Sequence, residues 1–390
     1  MPEKPRPPVA PPKSRILFIA RATNLTGLLT ALGERAEGWF CPLKRDHPAP
    51  AGMKILTLKA AFELRKALRA GRYDLVISFD NPQALWKHDK GWISNLLTSF
   101  KRIVRKPHTL GTYLVPWILA GSDVPLAVID WDDNTMISTK NWALLDRATC
   151  YFKTQTPRNP YKAFLFQDSR SDCLFNIIRQ SRNRERALKL RPFSIGITLP
   201  EEATAAPVEK TTDLFFAGAL YYSWARQEGI RHLEELRDEG YKIDLFFSNV
   251  GKGLPQADFL HRCAQAWLVW SPEGAGWDCS RHYTAPLLGS VPILNDPDTR
   301  RHQPLKEGVD AFYYQVEGDD LKRAVRMALK DKPRLRQMAA AGAEHVRRHH
   351  THAALADYVI AETLRTAREG YNATPLDTDL APSGQETLRS

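Results

Sequence analysis

Short segments that are apolar almost without interruption recur along this chain, each about the length of one β-strand. RILFIA (Arg15 to Ala20), MKILTL (Met53 to Leu58), DLVISF (Asp74 to Phe79) and PLAVID (Pro125 to Asp130) come first. DLFFAG (Asp213 to Gly218), KIDLFF (Lys242 to Phe247), AWLVW (Ala266 to Trp270), VPIL (Val291 to Leu294) and AFYY (Ala311 to Tyr314) follow. A strand wetted on one face alternates apolar and polar residues. Strands that lack the alternation are covered on both faces, as in a parallel sheet between helical layers. Helical stretches separate them, among them Lys59 to Ala70, Trp224 to Asp238, Ser280 to Leu288 and Asp319 to Leu329. The repeated β-then-α order predicts an α/β protein.

The strand grammar stops and restarts across LPEEATAAPVEKTT (Leu199 to Thr212), whose composition suits a solvated linker. With 390 residues, and roughly 100–200 per domain, two domains are expected. The predicted division is a Pro-rich tail over 1–13, a Rossmann-like domain over 14–198, the linker over 199–212 and a second Rossmann-like domain over 213–350. A crossing helix over 351–370 and a polar tail over 371–390 complete it. Pro333 to Arg368 reads as helical throughout.

Apolar residues make up 43% and charged residues 25%, which excludes a globally disordered chain. The longest clean apolar run, LVPWILAG (Leu114 to Gly121), is far short of the ~18–20 residues that span a bilayer. The N-terminal residues lack the apolar core of a secretory signal. Five cysteines without a CxxC pair fit reduced thiols and argue against a zinc site. A cytoplasmic protein is expected, with peripheral contact at the inner membrane face as a further expectation.

The net charge of +11 is concentrated in Arg179 to Arg191 and Lys101 to Lys106. Such clusters attract phosphates, anionic lipid or nucleic acid, although a solvated helix face is the commoner explanation. No recognised nucleic-acid motif accompanies them, so a nucleic-acid partner is not expected. His345, His349, His350 and His352 sit near helical spacing without a paired acid or cysteine, and a solvated face is the expectation for them.

The segment SPEGAGWDCSRHYTAPLLGSVPIL (Ser271 to Leu294) carries the most chemistry. It runs from a buried strand through a loop with Gly274 and Gly276 into a helix near Ser280, then through Gly289 to the next strand. Glycines permit close backbone approach, and a helix N-terminus offers unpaired N–H groups to an anion. Arg281 would add a cation able to grip phosphate oxygens two at a time, with His282 beside it.

This segment resembles the nucleotide-sugar-binding half of GT-B glycosyltransferases, particularly the exostosin-like and "glycosyl transferases group 1" C-terminal domains. The matching pieces are Ser271-Pro272-Glu273-Gly274, Asp278, Arg281 and Gly289-Ser290-Val291-Pro292. Upstream, Phe216-Ala217-Gly218 followed by Arg226 is similar to the loop and arginine that face the donor phosphates in that family. The resemblance covers about Asp213 to Tyr358. It implies two Rossmann-like domains facing a cleft and metal-independent transfer of a sugar from a nucleoside-diphosphate sugar to a hydroxyl acceptor on a glycan, lipid-linked or protein substrate. No cofactor beyond that co-substrate is implied. One departure stands out. Where the family carries a Glu five residues before the turn glycine, for the donor ribose, this chain has Thr284. A hydroxyl is the weaker partner, which leaves three readings: ribose binding shifted toward Asp278, Glu273 or a backbone group, an atypical donor, or lost activity.

In the first half, Asp80 and Asp130 are the candidate general bases, each at a predicted strand end, with Asp132 and Asp133 following Asp130. Lys153, ending the short strand CYFK, could meet the phosphates. Two other readings compete. Asp130-Trp131-Asp132 matches the D-x-D with which GT-A transferases hold a divalent ion. A non-catalytic protein that uses its basic surface on nucleic acid or anionic membrane is the other.

Overall fold

The fully apolar strand runs fold as a two-faced burial requires. A computed structural model describes residues 15–21, 26–42, 47–79, 109–138, 141–167, 174–176, 182–200, 208–221, 223–248 and 253–371. β1 (Ile16–Ala20), β2 (Ala36–Phe40), β3 (Met53–Ile55), β4 (Leu75–Phe79), β5 (Leu126–Asp130) and β6 (Cys150–Lys153) open the chain. β7 (Leu165–Gln167) and β8 (Leu174–Asn176) pair antiparallel on their own, and β9 (Leu190–Pro192) follows. The first sheet has the order β3-β2-β1-β4-β5-β6-β9. Every residue of β1, β4 and β5 is buried. β2 escapes the apolar pattern because Glu37 and Gly38 interrupt it; Tyr73 donates its hydroxyl to the Glu37 carboxylate at 2.5 Å.

The second sheet contains β10 (Thr212–Gly218), β11 (Ile243–Phe247), β12 (Ala266–Trp270), β13 (Val291–Asn295) and β14 (Phe312–Tyr314). Its order is β11-β10-β12-β13-β14, parallel at each pairing. Both sheets are doubly wound and Rossmann-like. In each the strand order reverses once, between β1 and β4 in the first and between β10 and β12 in the second. Open α/β sheets bind ligands outside the carboxyl ends of strands at that reversal.

The chain divides into two compact units. One takes residues up to Ile129 with Ser138–Tyr151 and Val359–Gly370; the other takes Asp130–Ile137 and Phe152–Tyr358. The stretch expected to be one long helix is two, Lys332–His349 and Lys-free His352–Glu369, broken where Thr351 bridges to Ile197. His352 donates its backbone N–H to the Ile197 carbonyl at 3.2 Å, and Ile197 donates to His350 at 3.0 Å.

The second unit's core packs helix Trp224–Asp238 against the sheet through Ile230, Leu233 and Leu236, around Leu214, Phe216 and Trp270. Trp270 is fixed from the far side, where its indole N–H donates to the Tyr314 hydroxyl at 2.9 Å. Gly229 faces the ring so closely that a Cβ would overlap it. Gly229→Ala is therefore expected to destabilise the chain by about 1–3 kcal/mol through overpacking. Urea unfolding measures this, and a midpoint unchanged from wild type would contradict it.

Candidate functional site

β12 ends at Trp270, and the chain continues as the glycine loop that leads to helix Ser280–Leu287. Ser271 keeps sheet register by donating its N–H to Ile293 at 2.8 Å. The loop then turns tightly, Gly274 N–H donating to the Gly276 carbonyl at 2.8 Å. Asn295, at the end of β13, clamps it: its side-chain oxygen accepts the Glu273 N–H at 2.8 Å and its amide donates to the Glu273 carboxylate at 3.1 Å. The Asn295 carbonyl also accepts the Trp277 indole N–H at 2.8 Å. At the helix end, Gly289 takes φ +75°, and Ser290 donates back to Ala285 at 2.9 Å, a cap suited to glycine.

Arg226, in the first turn of helix Trp224–Asp238, and Arg281, in the first turn of helix Ser280–Leu287, meet at the strand reversal of the second sheet. Both are buried. Arg226 donates to the Glu273 carbonyl at 2.8 Å and the Ala219 carbonyl at 2.7 Å. Arg281 donates to the Ala217 carbonyl at 2.7 Å and lies 5.2 Å over the Phe216 ring. Backbone carbonyls at the end of β10 and in the loops after β10 and β12 thus orient both guanidinium groups, and no carboxylate of the described residues comes within ion-pairing distance of either. Burial, and then the repulsion of Arg281, lower the Arg226 pKa to about 10. Holding two cations together out of water costs free energy that an incoming anion would recover. The flanking glycines leave room: a Cβ on Gly274 would stand 2.7 Å from Arg226, and one on Gly218 3.0 Å from Arg281.

Other candidates from the sequence line the interior instead. Ser271 donates to His282 Nδ1 at 2.7 Å, and His282 Nε2 donates to the Trp277 carbonyl at 2.8 Å, which fixes a neutral imidazole. Asp278 accepts the Ile195 N–H and the Tyr283 hydroxyl, each at 2.6 Å. Thr284 spends its hydroxyl on the Ser280 carbonyl at 2.9 Å, one turn back. Lys153 and Asp130 form a buried ion pair at 3.2 Å, and Asp130 also accepts the Asp132 N–H at 3.0 Å. Asp80 lies outside the described residues, as do Lys101 to Lys106, the N-terminal tail, the C-terminal tail beyond Tyr371 and residues 201–207 of the linker.

Gly276 abuts the loop that follows β5. A Cβ there would stand 2.5 Å from the Gln155 side-chain amide nitrogen and 3.0 Å from the Asp133 carboxylate. Gln155 accepts the Trp277 N–H at 3.2 Å. Asp133 is exposed, and partial desolvation followed by the neighbouring Asp132 raises its pKa, against the pull of Lys153. Among the described residues Asp130 and Asp132 are engaged in other contacts. Asp130 serves Lys153, while Asp132 accepts from Asn134 at 3.1 and 2.7 Å in a local turn. Among the described residues His232, Glu235 and Asp319 do bring ligand atoms within 4.8 Å of one another. Lys322 fills that space, bonding Glu235 and, at 2.8 Å, Asp319.

No family model and no curated protein matches the chain. Among solved structures it is similar to Anabaena HepE in complex with UDP, at 12% identity and a TM-score of 0.46, covering 90% of this chain and 100% of that one. A glycosyltransferase from Rickettsia africae aligns at 8% identity and a TM-score of 0.46, over 91% of this chain and 98% of that one. AviGT4, a glycosyltransferase of avilamycin A biosynthesis, aligns at 12% and 0.43 over the same shares. No helix of the described residues is long and apolar enough to cross a membrane.

The histidines correct an expectation. His350 is buried, stacked 4.3 Å from Tyr283, paired with Ser194 at 2.9 Å, and donating to the Gln303 carbonyl at 2.8 Å. It closes its helix against the protein, so these residues are not a uniformly solvated face. Burial holds His282 at about 3 and His302 at about 4, while it lifts Asp278 to about 6. The unfolded chain protonates its histidines near 6.5. Stability from the neutral imidazoles is thus full above pH ~6.5 and lost as pH falls toward the folded values. Asp278 runs the other way, because its folded proton is the tighter one, adding stability as pH falls from about 6 toward 4. The two histidine shifts exceed the single carboxylate shift, so unfolding free energy is expected to drop by about 2–4 kcal/mol between pH 6.5 and 4. His302→Phe, which keeps the stack on Tyr358, is expected to lose less; a slope equal to wild type would contradict the assignment.

Proposed function

We propose that the chain is a glycosyltransferase that moves a sugar from a nucleoside-diphosphate sugar to a hydroxyl acceptor on a glycan, lipid-linked or protein substrate. The observation that carries this reading is the Arg226–Arg281 pair, held by carbonyls at the strand reversal with no carboxylate of the described residues within ion-pairing distance. Such a pair suits a diphosphate, and it is placed to stabilise the negative charge that grows on the departing nucleoside diphosphate. It supplies the charge that a divalent ion would otherwise bring, so transfer proceeds without metal. Since Thr284 is buried with its hydroxyl proton turned to its own helix, the ribose falls to Glu273, whose carboxylate Asn295 holds in place. Asp133, exposed beside Gly276, is the carboxylate available to take the acceptor proton, in place of the buried Asp130.

The test is a panel of nucleoside diphosphates in a thermal-shift assay, followed by sugar-nucleotide turnover read as released nucleoside diphosphate. Stabilisation by one nucleotide together with turnover supports the proposal. Stabilisation without turnover of any sugar nucleotide would leave a binding protein, and no stabilisation would remove the donor site altogether. Asp133→Asn is expected to lower kcat by about 10²-fold or more with the nucleotide shift intact; a wild-type kcat would strike Asp133 from this role.

A further inference from the structure

The first unit carries a surface that the donor site does not use. Helix Leu58–Arg69 turns Ala60, Ala61, Leu64 and Leu68 inward, as an amphipathic helix should. Its outer face is not simply polar. Leu58, Phe62, Arg65 and Arg69 follow at spacings of four, three and four, so they share one stripe, with Lys66 alongside. Phe62 is 58% exposed and Leu58 49%, and Ile55 at the end of edge strand β3, just ahead of the helix, is 41% exposed. Trp117, from helix Leu110–Leu119, extends the patch, its ring 4.9 Å from Phe62 in an edge contact. Arg65 lies 4.5 Å over the Trp117 ring and donates to its carbonyl, which fixes an arginine among the apolar side chains.

We propose that this face docks the protein on the surface of an anionic lipid bilayer. Large apolar side chains on one stripe enter the boundary between headgroups and acyl chains, while interspersed Lys and Arg keep their charge at the phosphates. Arg65, Lys66 and Arg69 supply that charge; the stripe's nearest acid, Glu63, faces Lys59 at 4.0 Å on the flank. A strand of nucleic acid fits less well, because Arg65 covers a face of Trp117 and Phe62 meets its ring edge-on, leaving no platform for stacked bases. The inference stands independently of the transferase reading, since none of these residues belongs to the donor site.

Vesicle co-sedimentation of the full chain tests it, with phosphatidylcholine vesicles against vesicles containing about a third phosphatidylglycerol. Wild type is expected to bind the anionic vesicles, weakly or not at all the neutral ones, and less as salt rises. Leu58→Ser with Phe62→Ser should weaken binding about tenfold or more, and Lys66→Gln with Arg69→Gln should do so about tenfold. Both variants should keep the wild-type Tm, because every altered side chain is exposed. Three results would overturn the proposal: no binding of wild type to anionic vesicles at low salt, undiminished binding of the Ser variant, or vesicle-independent dimers that the Ser variant splits into monomers, which would assign the face to a second copy. Binding of single-stranded RNA that only the Gln variant loses, without vesicle binding, would assign it to nucleic acid.

Discussion

Arg281→Ala is expected to abolish the thermal stabilisation that a nucleoside diphosphate gives the wild-type chain and to lower kcat/KM for transfer by about 10²–10³-fold. The size follows from where the guanidinium sits. It is buried, held at 2.7 Å by the Ala217 carbonyl and braced on Phe216, so it is oriented before any ligand arrives. A preorganised cation out of water acts at low dielectric and spends nothing on reorganisation. Arg281→Lys is expected to recover only part of the loss, since an ammonium cannot bridge two phosphate oxygens in one plane. Apo stability should move the other way: removing one of two repelling cations relieves Arg226, whose pKa is lowered by burial and then by that neighbour. A variant more stable without nucleotide yet blind to it is the distinctive outcome. An undiminished nucleotide shift in Arg281→Ala would place the diphosphate elsewhere.

Lys153→Met is expected to destabilise the chain by about 3–5 kcal/mol. Neither member of the Lys153–Asp130 pair reaches solvent, with side-chain exposures of 0% and 2%. Removing the ammonium leaves a carboxylate buried with its nearest cation gone, and a carboxylate cannot be rehydrated without opening the structure. Replacing both members, as Lys153→Met with Asp130→Leu, is expected to regain most of the loss, because the paired desolvation cost disappears with the pair. Chemical denaturation of the four proteins in this cycle gives the coupling directly. Single variants within about 1 kcal/mol of wild type would mean that the pair is wet and would return Asp130 to the list of candidate bases.

The strands were legible because two-faced burial leaves a local mark: LAVI (Leu126 to Ile129) and VPIL have no polar residue where a solvated face would need one. The glycine loop and both arginines were legible for a related reason, since the loop follows a strand end directly, each arginine opens the helix after such a loop, and the sheet brings strand ends together. The strand Ala36–Phe40 was not, because Glu37 and Gly38 break its apolar run and the carboxylate is satisfied by Tyr73, far along the chain. Asn295 left only a faint sign, a polar residue closing an otherwise apolar strand.

By itself the sequence determined an α/β architecture with two doubly wound sheets, and the cations that gather at one strand reversal. Only the tertiary structure decided which polar groups remain available for chemistry. Asp130 meets Lys153 across 23 residues and Asp278 meets Ile195 across 83, while Asp133 stays exposed beside Gly276. Strand pattern is set by local burial, one residue after another. The pairing of a carboxylate depends on partners brought close through the fold, and its desolvation depends on everything packed around it, neither of which nearest neighbours in the chain can reveal.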